Sequence, residues 1–172
     1  MNDSKNIEIK ARCIDLERIR KILLDKKAEF IGVDHQVDTY FKVNSGRLKL
    51  REGNIENNLI HYQRPDQLGP KQSDFTLFKT ESGCELKKIL NKALGIMVIV
   101  DKIREIYFID NVKFHLDQVK DLGSFIEIEV IDKQGVLNEN DMLMTCQFYL
   151  KLFLIKKNQL IENSYSDMIL KM

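Results

Sequence analysis

The sequence predicts a mainly β fold of the α+β kind, about eight antiparallel strands with flanking helices, in a single domain spanning residues 1–172. Three observations point there. Apolar and polar residues alternate in short runs from Asn6 to Ile131, the period of a strand with two unlike faces. Neighbouring runs are separated by turn chemistry, such as Asn44-Ser45-Gly46 and Asp110-Asn111, that suits hairpins. Helical spacing is confined to three stretches that sit between or after the strands.

Taken in order, Asn6–Cys13 alternates as a first strand, and Asp15–Phe30 switches to helical spacing through Leu16, Ile19, Ile22 and Leu23. Gly32 interrupts, and Gln36–Val43 resumes as a strand, so that Tyr40–Arg51 forms a hairpin around Asn44-Ser45-Gly46. Gly53-Asn54 and Asn57-Asn58 turn the chain into Leu59–Arg64. Pro65–Pro70 holds both prolines and reads as a loop, a potential gate, before a strand at Asp74–Lys79 and a helix over Glu81–Ala93. Ile96–Phe108 and Val112–Val119 make a long hairpin turned at Asp110-Asn111, and Leu122–Ile131 completes the strands. Glu139–Ile155 returns to helical spacing, its stripe from Met142 to Phe153 suited to covering a sheet.

Bulk properties narrow the class of function. A 44% hydrophobic and 31% charged composition is that of a folded, water-soluble chain. A net charge of +1 argues against nucleic acid as a partner, because polyanion binders carry a basic surplus. Cys13, Cys84 and Cys146 are odd in number, widely spaced and without a C-x-x-C pair, which fits buried small hydrophobes in a reducing compartment. Residues 1–10 are polar, and the apolar run Leu94–Val100 is too short to cross a bilayer, so the expectation is cytoplasmic with no membrane association. A homodimer is compatible with the sequence.

The strands' polar faces carry the functional signal. Glu8, Lys10 and Arg12 share one face; so do Arg47, Lys49 and Arg51; Tyr62 and Arg64; Lys102 and Arg104; Lys113, His115 and Asp117; Glu127 and Glu129. A half-buried sheet with its charges in water is the ordinary explanation. Three like charges in a row at Arg47, Lys49 and Arg51 favour another: a closed barrel with charges inside and apolar residues outside, covered by helices. Such a lining counts eight cations against Glu8, Asp117, Glu127 and Glu129, a surplus of four positive charges. A polyphosphate with a divalent ion would balance it. Arginine forks suit phosphate oxygens, and clustered carboxylates without Cys suit Mg²⁺ or Mn²⁺.

These residues resemble the CYTH superfamily, the triphosphate tunnel metalloenzymes. Asn6-Ile7-Glu8-Ile9-Lys10 is similar to the family's N-terminal E-x-E-x-K signature. Gln36–Phe41, Arg47-Leu48-Lys49-Leu50-Arg51, Tyr62–Asp66, Lys102–Tyr107, His115-Leu116-Asp117 and Leu122–Glu129 resemble its class IV adenylate cyclase-like branch. Ser164-Tyr165-Ser166-Asp167 is similar to the family's C-terminal segment. The resemblance implies a closed eight-stranded antiparallel β-barrel whose tunnel binds a triphosphate. It implies Lys10, Arg12, Lys49, Arg51, Arg64, Lys102 and Arg104 as phosphate-binding residues, Lys10 and Arg104 among them as catalytic. It implies Glu8, Asp117, Glu127 and Glu129 as ligands of Mg²⁺ or Mn²⁺. Asn6 departs from the signature: an amide offers an oxygen but no charge, which favours one ion over two.

The expected activity is metal-dependent chemistry on a nucleoside or inorganic triphosphate, most like a class IV adenylate cyclase converting ATP to cyclic AMP and pyrophosphate. A tripolyphosphatase or thiamine-triphosphatase uses the same charges, and a non-catalytic polyphosphate binder is the alternative from another class. His115 is the one candidate general base.

Overall fold

A computed structural model describes residues 4–63, 71–81, 83, 85–132, 135 and 137–172, with only the backbone of residues 4, 5 and 71–74. The predicted Pro65–Pro70 loop, Arg64 and Cys84 lie outside the described residues. The elements are β1 (Ser4–Arg12), α1 (Leu16–Asp25), β2 (Glu29–Phe41), β3 (Arg47–Glu52), β4 (Asn58–Gln63) and β5 (Lys71–Lys79). They continue with α2 (Leu86–Leu94), β6 (Ile96–Ile109), β7 (Val112–Val119), β8 (Gly123–Asp132), α3 (Glu139–Leu152) and α4 (Tyr165–Leu170). All pairings are antiparallel, in the order β1-β5-β4-β3-β2-β6-β7-β8, with β8 returning to β1.

The mainly β fold, the antiparallel strands and the flanking helices are as predicted; closure is partial. The sheet curls until β1 meets β5, but that seam runs only from Ser4 opposite Phe75 to Glu8 opposite Lys71. Among the described residues, Ile9 to Arg12 of β1 have no partner in β5. The C-terminal segment occupies that gap: Ile161 N–H donates to the Lys10 carbonyl at 2.9 Å, and Ala11 bridges Leu160. The second half of β1 is thereby paired without full barrel closure.

Binary patterning sorts the faces. Ile7, Ile9, Phe114, Leu116, Ile126 and Ile128 point outward from β1, β7 and β8 and are buried by α1 and α3 through Leu16, Ile19, Leu23, Met142, Cys146 and Phe153. Phe114 and Phe153 are fully buried, each stabilising by about 1.5–3 kcal/mol. Cys13 and Cys146 are buried there as unpaired thiols, as expected. Helices do not cover the whole barrel: Val33, Ile99 and Ile103 on the outer face of β2 and β6 are exposed. Among the described residues no helix is long and apolar enough to cross a membrane.

Several boundaries differ from the sequence reading: β5 begins at Lys71 rather than Asp74, α2 at Leu86 rather than Glu81, and α3 ends at Leu152 rather than Ile155. Asp15 caps α1 by accepting from the Arg18 N–H at 2.9 Å, but the helix ends at Asp25, and Lys27 turns the chain at φ 58°. The stretch Glu29–His35, assigned to the helix end and a break, is the first half of β2. Gly32 marks a bulge within that strand, where the register against β6 slips between Phe30 and Gly32. Its φ is +147°, and a Cβ there would lie 2.9 Å from Ile55 Cδ1.

Candidate active site in the barrel interior

Inward-facing residues of all eight strands surround a cavity of about 310 Å³. Alternation brings them there: Asn6, Glu8 and Lys10 on β1; Lys49 and Arg51 on β3; Lys102 and Arg104 on β6; Glu127 and Glu129 on β8. The charges are sorted rather than mixed.

On one side, three cations share one carboxylate. Arg51 holds Asp38 through Nε at 2.8 Å and Nη2 at 2.9 Å, while Lys102 Nζ and Lys49 Nζ reach Asp38 Oδ2 at 2.8 and 3.1 Å. Burial alone would raise the Asp38 carboxyl, but Arg51, Lys102 and Lys49 outweigh it and hold it well below the ordinary carboxylate range. Glu56 also pairs with Arg51 and with Lys113, so two carboxylates face four cations, and Lys102 shows the deficit. Burial pushes its ammonium down to about 7, with Arg51, Arg104 and Lys49 acting in the same direction against the attraction of Asp38.

On the other side, carboxylates gather. Arg104 grips Asp117 by two bonds, at 2.6 and 2.5 Å, and reaches Glu127 Oε2 at 2.7 Å. Glu127 also pairs with Lys10 Nζ at 2.7 Å and meets His115 Nδ1 at 3.2 Å, while the Tyr165 hydroxyl donates to Asp117 at 2.7 Å. Lys10 Nζ sits 4.0 Å from the centre of the Tyr165 ring. Burial, then Arg104 and Lys113, push His115 down to about 4, so the imidazole is neutral at physiological pH. Its Nε2 is buried without a hydrogen-bond partner.

The four predicted metal ligands therefore divide. Asp117 does not line the cavity; it is fully buried and held by Arg104 and Tyr165. Glu127 lines the cavity but is engaged by Lys10, Arg104 and His115. Glu8 and Glu129 both line the cavity and lie directly opposite each other across β1 and β8. Asn6 Nδ2 donates to Glu129 Oε1, and Asn6 Oδ1 is buried with no partner. Among the described residues no group of three His, Cys, Asp or Glu side chains is arranged to hold an ion. Two carboxylates and an orphaned amide oxygen do fit a single hard divalent cation, which accepts all-oxygen coordination and keeps sites for water or phosphate. The departure at Asn6 thus supplies an oxygen at the corner where an ion is expected.

Of the predicted phosphate ligands, Lys10, Lys49, Arg51, Lys102 and Arg104 line the cavity. Arg12 does not: it is exposed, donates to the Leu122 carbonyl at 3.0 Å and lies over the Phe125 ring. The reason is packing, since Phe125, opposite Arg12 in the register, is fully buried there. Arg47 likewise turns away to pair with Asp167 at 2.8 Å. Arg64 lies outside the described residues.

Sequence reasoning missed Asp38, Glu56 and Lys113 as lining charges. With them the described lining holds six cations and five carboxylates, not a surplus of four. Asp38 and Lys113 were readable from alternation, Asp38 with Tyr40 and Lys113 with His115. Glu56 sits in a turn, where no periodicity reports orientation.

A model of the CYTH domain matches residues 4–159. The chain belongs to the CYTH domain family. It is 27% identical over 174 residues to the "Putative adenylate cyclase" of Methanocaldococcus jannaschii, covering 94% of this chain and 97% of that one. The PH1012 protein of Pyrococcus horikoshii has the same fold, with a TM-score of 0.81 at 23% identity over 94% of this CYTH chain and 98% of that chain. A Hippeastrum protein whose structure is described as a "Putative adenylyl cyclase" that reveals a dominant triphosphatase activity superposes with a TM-score of 0.62 at 11% identity, covering 97% of this chain and 94% of that one.

Proposed function

We propose that this CYTH protein is a metal-dependent enzyme acting on a triphosphate held in its barrel, most like a class IV adenylate cyclase. One observation carries the reading: Lys49, Arg51, Lys102 and Lys113 share the two carboxylates of Asp38 and Glu56, in one cavity with the carboxylate pair Glu8 and Glu129. That arrangement needs an anion on one wall and accepts a cation on the other.

In this reading Lys49, Arg51 and Lys102 take the phosphate chain, Arg51 as a fork and the lysines as point charges. Lys10 and Arg104 line the same cavity and both pair with Glu127, and in this reading their charges absorb charge developing on the leaving pyrophosphate. Asp117 and Glu127 keep Arg104 fixed for that role. Mg²⁺ or Mn²⁺ held by Glu8, Glu129 and Asn6 Oδ1 would polarise phosphoryl oxygens and acidify an attacking hydroxyl. His115 Nε2, neutral and without a partner, would accept a hydrogen bond from that hydroxyl and, being a weak base with its value down near 4, would pass the proton on to water. With a ribose 3′-hydroxyl as nucleophile the products are cyclic AMP and pyrophosphate.

Water as nucleophile on the same charges gives hydrolysis, the activity described for the Hippeastrum protein of like fold. Incubation with ATP, tripolyphosphate or thiamine triphosphate under Mg²⁺ or Mn²⁺, with the products separated, decides between them. Cyclic AMP with pyrophosphate establishes the cyclase, and orthophosphate the hydrolase. Binding without turnover establishes a phosphate-binding protein, and absence of binding defeats the reading.

A further inference from the structure

We infer that Glu56 is an end-stop that sets the length of phosphate chain the cavity accepts. This rests on the triphosphate reading above and adds a specificity determinant to it. Glu56 belongs to the β3–β4 turn, yet its carboxylate enters the cavity. There it accepts from Arg51 Nη1 at 2.9 Å, Lys113 Nζ at 2.6 Å and Gln36 Nε2 at 3.1 Å. Lys113 is on β7, three strands round the ring from β3, so the Glu56–Lys113 pair spans the barrel rather than joining neighbours.

The turn is built to hold that carboxylate inward. Asp34 is fully buried and accepts the backbone N–H groups of Ile55 at 2.9 Å and Glu56 at 3.0 Å. Gly53 permits the approach, because a Cβ there would lie 2.7 Å from both Asp34 Oδ1 and the Glu56 carbonyl. Asn57 closes the turn by accepting from the Gly53 N–H and donating to the Gly53 carbonyl. A surface turn does not need a buried carboxylate to anchor it. This one places a negative charge on Arg51, a cation that also serves the phosphate side of the cavity.

An anionic group at the end of a cationic channel repels further anionic units and occupies the cations they would use. A chain that stops short of Glu56 is accepted; a longer chain must displace Glu56 from Arg51 and Lys113. The test measures affinities for pyrophosphate, tripolyphosphate and longer linear polyphosphates in the wild type, Glu56→Gln, Glu56→Ala and the control Asn54→Ser, which alters an exposed residue of the same turn. In the wild type affinity should peak at a short chain. In both Glu56 variants the preference for longer chains should rise about tenfold or more, the worth of a regained charge-assisted contact, and Asn54→Ser should leave the profile unchanged. A lower melting temperature in the Glu56 variants with an unaltered chain-length profile shows that Glu56 only ties the turn, and overturns the inference. Failure of every chain to bind the wild type defeats the triphosphate reading, and the end-stop with it.

Discussion

Lys102 is the residue whose chemistry responds most directly to a ligand. Its ammonium titrates near 7 because burial and three neighbouring cations oppose it. In the ligand-free protein at pH 8 it is therefore mostly neutral. A bound phosphate restores the charge, so triphosphate binding at pH 8 should take up close to one proton, and binding at pH 5.5 almost none. Calorimetry in buffers of different ionisation enthalpy measures this, and Lys102→Met should abolish the uptake. The sign for folding follows from the same value: above about 7 the unfolded lysine, with an ordinary value of 10.5, binds more protons than the folded one. This group alone therefore makes the protein more stable as pH rises from 7 toward 10. The carboxylates separate in the same way. Glu127→Gln breaks pairs with Lys10 and Arg104 and should destabilise by roughly 3–5 kcal/mol in denaturant unfolding. Glu129→Gln relieves a like-charge pair with Glu8 and should leave metal-free stability within about 1 kcal/mol. It should nonetheless weaken divalent-ion binding by more than the roughly 10–100-fold typical of supporting residues. The sequence placed Glu127 and Glu129 on one face but gave no means of telling them apart, because their difference lies in partners from β1, β6 and β7.

At the scale of elements, strands with clean alternation were legible almost to the residue. β7 runs Val112–Val119 as predicted, since a half-buried antiparallel strand writes its two faces directly into the sequence. β2 was not, because its bulge at Gly32 breaks the alternation at the point where a helix had just ended. The incomplete seam was illegible for a different reason: it depends on how far β1 and β5 overlap, which neither strand's own pattern encodes. The seam makes a prediction. β5 pairs with β1 over five residues, and Thr76, Leu77, Phe78 and Lys79 are exposed, whereas β7 and β8 are packed under α1 and α3. Native-state hydrogen exchange should therefore show β5 amides opening at a markedly lower free energy than those of β7, which should follow global unfolding. The C-terminal segment fills the rest of the seam, and Ser164 and Asp167 cap α4 reciprocally. Ser164→Ala should cost about 1 kcal/mol and raise exchange at the Ile161 N–H, which donates to the Lys10 carbonyl of β1.

Across the whole molecule, the barrel serves to keep two opposite charge excesses in one small cavity without letting them collapse together. Asp38 and Glu56 partly neutralise the cationic wall; Lys10 and Arg104 partly neutralise the carboxylate wall. In the proposed reading the two walls take different ligands, an anion at Lys49, Arg51 and Lys102 and a divalent cation at Glu8 and Glu129. Each ligand relieves the field that the other meets, so the two should bind with positive coupling. Titrating tripolyphosphate at increasing Mg²⁺ or Mn²⁺ should strengthen its affinity by a factor in the range of about 5–150 beyond that explained by metal–phosphate complexes in solution. Titrating the metal at increasing tripolyphosphate must return the same factor, because the coupling is a property of the ternary state. Glu129→Gln should collapse the factor toward one while triphosphate alone still binds, since the cationic wall is untouched. Lys49→Gln should do the converse, weakening triphosphate while sparing the metal. If both substitutions weakened both ligands equally, the walls would not be separate sites, and the charge sorting across the barrel would have no functional meaning.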